Sequence, residues 1–151
     1  MEKIIVLSGV ANAGKTNTLN TLAEMLSTTP GVRLLFPVKM PSNPDWHDYD
    51  HDFFFEVSVG GVIKCVAIIT KGDSGQCLQP KLNAVDNFSR TVDIVFAACR
   101  SYWSSSVEEI ENWALKHAII PDYVAIMLKP NTKQNHHVVS TVADRLRMKI
   151  N

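Results

Sequence analysis

The sequence predicts a three-layer α/β fold: a mostly parallel sheet, helices on both faces and one antiparallel hairpin arm. Three observations carry this reading. Short apolar runs alternate with segments of helical period along the whole chain, the pattern of strand–helix–strand units rather than of separate α and β halves. The runs Ile4–Leu7, Val66–Ile69 and Ile94–Cys99 are apolar at every position, as strands buried on both faces must be. Gly60-Gly61 joins two strand-like runs with no room for a crossover, so this pair folds back on itself as a tight hairpin.

In order, Ile4 to Leu7 forms the first strand and runs into Gly9-Val10-Ala11-Asn12-Ala13-Gly14-Lys15-Thr16; Leu19, Leu22, Ala23 and Leu26 then share one face of a helix. Pro30-Gly31 breaks the chain before a second strand, Val32 to Val38. Residues 39–52, with Pro41, Pro44 and the run from Asp45 to Asp52, read as a polar loop whose length marks it as functional or mobile. In Phe53 to Val59, Glu56 and Ser58 alternate with Val57 and Val59, which places this arm at a sheet edge with one wet face. The other arm, Val62 to Thr70, belongs nearer the centre. A helix is expected from Gln76 to Arg90, with Leu78, Leu82 and Val85 inward and Pro80 in its first turns. Ile94 to Cys99 is a buried strand, and Ser104-Ser105-Ser106 offers N-caps to a helix carried by Val107, Ile110 and Ala114 to Ala118. Pro121-Asp122 precedes a last strand, Tyr123 to Leu128, and Val138, Val142, Ala143 and Leu146 mark a final helix.

The 151 residues suit a single domain, 1–151, large enough to bury about 70% of the surface its unfolded chain exposes. Fifteen basic and fifteen acidic residues cancel, so the chain lacks the charge footprint of a general nucleic-acid or membrane-surface binder. No apolar stretch reaches the length of a membrane span and Ser8-Gly9 interrupts the first apolar run, which argues against a signal peptide and for the cytoplasm. Cys65, Cys77 and Cys99, odd in number and without metal-ligand spacing, read as reduced thiols.

Gly9 to Thr16 matches the pattern Gly, four residues, Gly-Lys-Thr, between a strand and a helix. Polyphosphate is held by backbone N–H groups, so such a loop must approach closely, and glycines at its ends permit the backbone angles. The lysine supplies a cation for the β- and γ-phosphates, the threonine hydroxyl suits Mg²⁺, and the helix N-terminus adds attraction for anions. By these residues the chain resembles the P-loop NTPase superfamily, specifically over residues 4–28 and more weakly through Arg100. The resemblance implies a P-loop fold that binds ATP or another nucleoside triphosphate with Mg²⁺. Gly9, Asn12, Ala13, Gly14, Lys15, Thr16 and Asn17 would hold the nucleotide.

Ligands of such sheets lie beyond the carboxyl ends of the strands, which lines up Gly9, Lys39, Asp73, Arg100 and Lys129 along one edge. Lys39 and Lys129 have no motif behind them and read as solvating residues. Ile68-Ile69-Thr70-Lys71-Gly72-Asp73 resembles a Walker B strand, so Asp73 is the expected metal carboxylate beside Thr16, with Gly72 and Gly75 letting the turn move with the γ-phosphate. Asp73-Ser74-Gly75-Gln76 is also similar to the Asp-x-x-Gly element of Ras-like GTPases. Gly75, however, comes one residue early and Gln76 one short of the water-positioning glutamine. Lys129-Pro130-Asn131-Thr132-Lys133 supplies no guanine-reading carboxylate, which favours ATP over GTP. Arg100 either acts on phosphate, as an arginine finger in cis, or caps a strand at the surface.

Asp48, Asp50, Asp52, His47 and His51 have spacing for a metal or a base, or form a solvated loop. Trp46 and Tyr49 stack on a base, cover the site or pin the loop to the body. His136-His137 reads as surface, and Tyr102-Trp103 as an exposed contact or as packing. The leading functional expectation is Mg-dependent ATP hydrolysis by a small stand-alone P-loop ATPase, with Lys15, Asp73, Arg100 and Gln76 at the reaction. The alternatives are a kinase for a small-molecule acceptor or nucleotide, gripped by residues 40–52, and a nucleotide-dependent switch acting through a protein partner. The stretch from Arg100 to Val107 is too short for the arginine-bearing lid of nucleoside monophosphate kinases, which counts against the kinase.

Overall fold

The computed structural model describes residues 1–10, 13–101, 104–126 and 133–151, with residues 133–136 by backbone alone. Among the described residues six strands form one sheet: β1 (Lys3–Ser8), β2 (Val32–Phe36), β3 (Asp52–Val59), β4 (Val62–Ile69), β5 (Ile94–Cys99) and β6 (Asp122–Ala125). Their order across the sheet is β2-β3-β4-β5-β1-β6. β4, β5, β1 and β6 are parallel, and β3 runs antiparallel to both its neighbours. The described residues also form four α-helices, α1 (Lys15–Ser27), α2 (Gly75–Asp86), α3 (Ser105–Lys116) and α4 (Lys133–Met148), and one short 3-10 turn at Trp46–Asp48. None of the described helices is long and apolar enough to cross a membrane.

Side chains of a strand alternate between faces, and both faces here are covered, which is why Ile4–Leu7 of β1, Cys65–Ile69 of β4 and all of β5 are apolar and buried. Ile5, Leu7, Val66 and Phe96 pack with Leu19 and Leu22 of α1 and Leu146 of α4. Ile4, Val6, Ala67 and Val95 pack instead with Leu78 and Leu82 of α2 and Ile110 and Trp113 of α3. Each fully buried leucine or isoleucine contributes about 1.5–3 kcal/mol through burial. These two cores therefore hold the helix starts against the carboxyl ends of the strands. Cys65 and Cys99 are buried within the sheet, and burial pushes the Cys65 thiol up to about 11, so it stays a neutral packing group.

Three boundaries differ from expectation. β2 stops at Phe36 because Pro37 has no N–H to continue the ladder, and Val38 beyond it is fully exposed. β3 is an inner strand: β2 covers its free side, pairing Val32 with Val57 and Leu34 with Phe55, so β2 is the edge. The polar character of Glu56 serves ion pairs with Arg33 and Arg90, at 3.0 and 2.5 Å, rather than an open edge. α2 ends at Asp86, whose carboxylate accepts Trp113 Nε1–H at 3.0 Å and ties the helix end to α3. The last strand is described to Ala125, and Met127 and Leu128 lie outside the described residues.

α2 and α3 begin at serine caps. Ser74 Oγ accepts the Cys77 N–H at 3.2 Å, and Ser104 Oγ accepts that of Val107 at 3.4 Å. Ser74→Ala is expected to lower stability by about 1 kcal/mol, read as a loss of about 2–4 °C in thermal denaturation. An unchanged midpoint would show that the cap contributes nothing.

Candidate functional site

The glycine loop leaves β1 and enters α1 through Gly14, whose φ of 90° lies in the left-handed region that favours glycine. Gly9 is needed for a different reason: a Cβ there would stand 2.5 Å from the Ile126 carbonyl oxygen, where the chain leaves β6. Lys15 is only 7% exposed, and its Nζ donates to the carbonyls of Gly9 at 2.5 Å and Val10 at 3.1 Å. Burial pulls its ammonium below the usual lysine range; the charge of Asp73 opposes that shift and the charge of Arg100 adds to it. By helix geometry the amides of Lys15, Thr16 and Asn17 have no partner inside α1, and the first intrahelical bond joins the Thr18 N–H to Gly14 O at 3.0 Å. Ala13 is buried beneath the turn, and Asn12 lies outside the described residues.

The segment between β2 and β3 lies along α1. Trp46, 7% exposed, anchors it by stacking on His47 with centroids 3.9 Å apart and meeting Phe53 edge-on at 5.9 Å. Trp46 therefore pins the loop to the body, while Tyr49 is exposed. From that anchor the chain runs back toward the helix start. His47 Nε2 pairs with Glu24 at 2.9 Å, and buried Asn20 donates to the carbonyls of His47 at 3.0 Å and Tyr49 at 2.7 Å. Asn17 donates to Asp48 Oδ1 at 3.1 Å, and Thr16 Oγ1 to Asp50 Oδ1 at 3.3 Å. Asn17, Asn20 and Glu24 are spaced three and four apart and so form one stripe on α1. Asp50 Oδ1 is also 3.1 Å from Thr70 Oγ1, beyond the end of β4, and the same hydroxyl accepts the His51 N–H at 2.8 Å.

The three loop aspartates do not converge. Asp48 faces Asn17, Asp50 faces Thr16 and Thr70, and Asp52 pairs with Lys81 of α2 at 2.6 Å. His51 Nε2 is engaged with the Trp46 carbonyl at 3.1 Å. Among the described residues no three His, Cys, Asp or Glu side chains gather where they could hold a metal.

Asp73 is not hydrogen-bonded to Thr16. Its Oδ1 lies 3.6 Å from Arg100 Nε, and the carboxylate that touches Thr16 is Asp50. β5 lies between β4 and β1, and the turn after β4 packs on the end of β5, where Gly72 meets the backbone of Ala98. Gly72 and Gly75 serve close packing in this structure. A Cβ at Gly72 would fall 1.7 Å from Ala98 O, and one at Gly75 2.6 Å from Ser105 O, so glycine here lets backbones touch. Ser105 Oγ accepts the Gly75 amide at 2.9 Å and so holds this turn to α3, while Ser106 Oγ accepts the Arg100 amide at 2.9 Å and holds the end of β5 to the same helix. Gln76 is exposed on the first turn of α2, and Lys39 and His137 are exposed as expected. Lys129, Tyr102, Trp103 and the His136 side chain lie outside the described residues.

Asn20 and Thr70 were not among the residues expected to shape this site, and Asp50 was not paired with Thr16 in advance. Together the residues offer amides and an ammonium to an anion, and a carboxylate between two hydroxyls to a hard cation. Comparison of the chain with models of protein families, with curated proteins and with solved structures gives no match.

Proposed function

We propose that this chain has a three-layer P-loop fold that binds a nucleoside triphosphate with Mg²⁺, preferring ATP to GTP, and hydrolyses it. The observation that carries the reading is the pairing of Thr16 with Asp50 at the start of a helix entered through a left-handed glycine, beside buried Lys15. Thr16, Asp50 and Thr70 present only oxygen atoms, the donor chemistry Mg²⁺ selects. Thr16 and Asp50 would hold the ion, which when bound spreads the charge of the β- and γ-phosphates. Lys15 and the amides of the first turn hold the phosphate chain, and Asn20 fixes the segment that carries Asp50. Hydrolysis is favoured over transfer to an acceptor because the segment a kinase would use as a grip is already engaged, Asp48 with Asn17 and Asp52 with Lys81.

Mg-ATP at about a hundred times its dissociation constant is expected to stabilise the protein by about 2.7 kcal/mol, measured by thermal denaturation. Mg-GTP under the same conditions should do no more. A chain that no nucleoside tri- or diphosphate stabilises does not have this function, and strong selectivity for GTP would reverse the base assignment.

A further inference from the structure

We propose that Asp73 is a built-in competitor of the terminal phosphate: its carboxylate pairs with Arg100, a cation that would bind the phosphoryl group, and so weakens anion binding and eases product release. The proposal rests on the nucleotide reading above and concerns the control of that site. Asp73 Oδ1 and Arg100 Nε are 3.6 Å apart, too long for a good hydrogen bond. Arg100 Nε is nevertheless a buried donor without a hydrogen-bond partner among the described residues. Arg100 Nε thus retains bonding capacity that a ligand oxygen reaches only when the groups covering it turn away.

Asp73 also acts on Lys15, whose ammonium its charge favours while Arg100 disfavours it, so the three groups lie within electrostatic reach of one another. Arg100 beside Asp73 and Lys15 within its electrostatic reach together carry one positive charge more than that carboxylate balances. A terminal phosphate carrying about two negative charges would balance both cations, but only with Asp73 turned away. Side-chain exposures of 62% for Asp73 and 41% for Arg100 leave both open to a ligand. The turn itself is clamped at Gly72 and Gly75, so rotation of the Asp73 side chain, rather than movement of the loop, is the available adjustment. When phosphate leaves, Asp73 takes back Arg100, which shortens the residence of product.

The test is equilibrium binding of ATP, with EDTA and separately with Mg²⁺, to wild type, Asp73→Asn, Arg100→Gln and the double variant. Asp73→Asn is expected to bind metal-free ATP about fivefold more tightly at low salt, a gain that shrinks with added salt because the pair is exposed. Arg100→Gln should bind more weakly, and in its background Asp73→Asn should gain less. ATP bound by wild type but no more tightly by Asp73→Asn overturns this proposal alone, whatever happens with Mg²⁺. Absence of ATP binding to wild type removes the nucleotide reading and this proposal with it.

Discussion

Lys15→Ala is expected to remove most of the stabilisation conferred by Mg-ATP, about 2.7 kcal/mol at a ligand concentration a hundredfold above the wild-type dissociation constant. The lysine is buried, with its Nζ turned onto the carbonyls of Gly9 and Val10 at the mouth of the glycine loop. A buried cation is costly to keep unless it is paired and hydrogen-bonded, and the depressed basicity of Lys15 reflects that cost. Lys15→Met serves as the companion variant, since it keeps the unbranched stem and its packing while deleting the charge. Thermal denaturation of both variants, with and without Mg-ATP, separates loss of fold from loss of binding. A full ligand-induced shift retained by either variant would remove Lys15 from the phosphate site.

The parts of the fold legible in the sequence are those in which burial dictates composition. The buried stretches Ile4–Leu7 of β1, Cys65–Ile69 of β4 and all of β5 face a helix layer on each side and are apolar, so these runs could be read directly. The position of β3 could not be read that way, because Glu56 is satisfied by Arg33 and Arg90 from distant parts of the chain and so imitates the wet face of an edge. The glycine loop was legible because its residues are contiguous. The covering segment was not: Asn17 meets Asp48 across 31 residues and Asn20 meets Tyr49 across 29, contacts with no period in sequence. Asn20 is fully buried although its residue type suits a solvated face. Asp73 was singled out because it follows a buried strand, but only the strand order reveals that β5 stands between that strand and β1.

The second large effect is expected at Asp50, the carboxylate that meets Thr16 and Thr70. Asp50→Asn should slow Mg-dependent turnover by about a hundredfold or more, about 2.7 kcal/mol of transition-state stabilisation. The amide oxygen can still accept from Thr16 and Thr70, so the segment stays docked on α1 through Asn17, Asn20 and Trp46 while the negative charge is lost. Nucleotide affinity without metal should therefore change little, and the loss should appear in the dependence on Mg²⁺ concentration. Asp73→Asn should leave the chemical step within about threefold of wild type, under about 0.7 kcal/mol. Single-turnover ATP cleavage, stopped by acid quench so that bound and free products are counted together, is the appropriate measurement, because it is blind to the faster or slower product release that Asp73 is proposed to control. The opposite ranking, with Asp73→Asn inactive and Asp50→Asn near wild type, would return the metal to the carboxylate after β4. The Thr16 hydroxyl would then have to leave Asp50 for the ion, and its bond to the covering segment would be a brake on binding rather than part of the site.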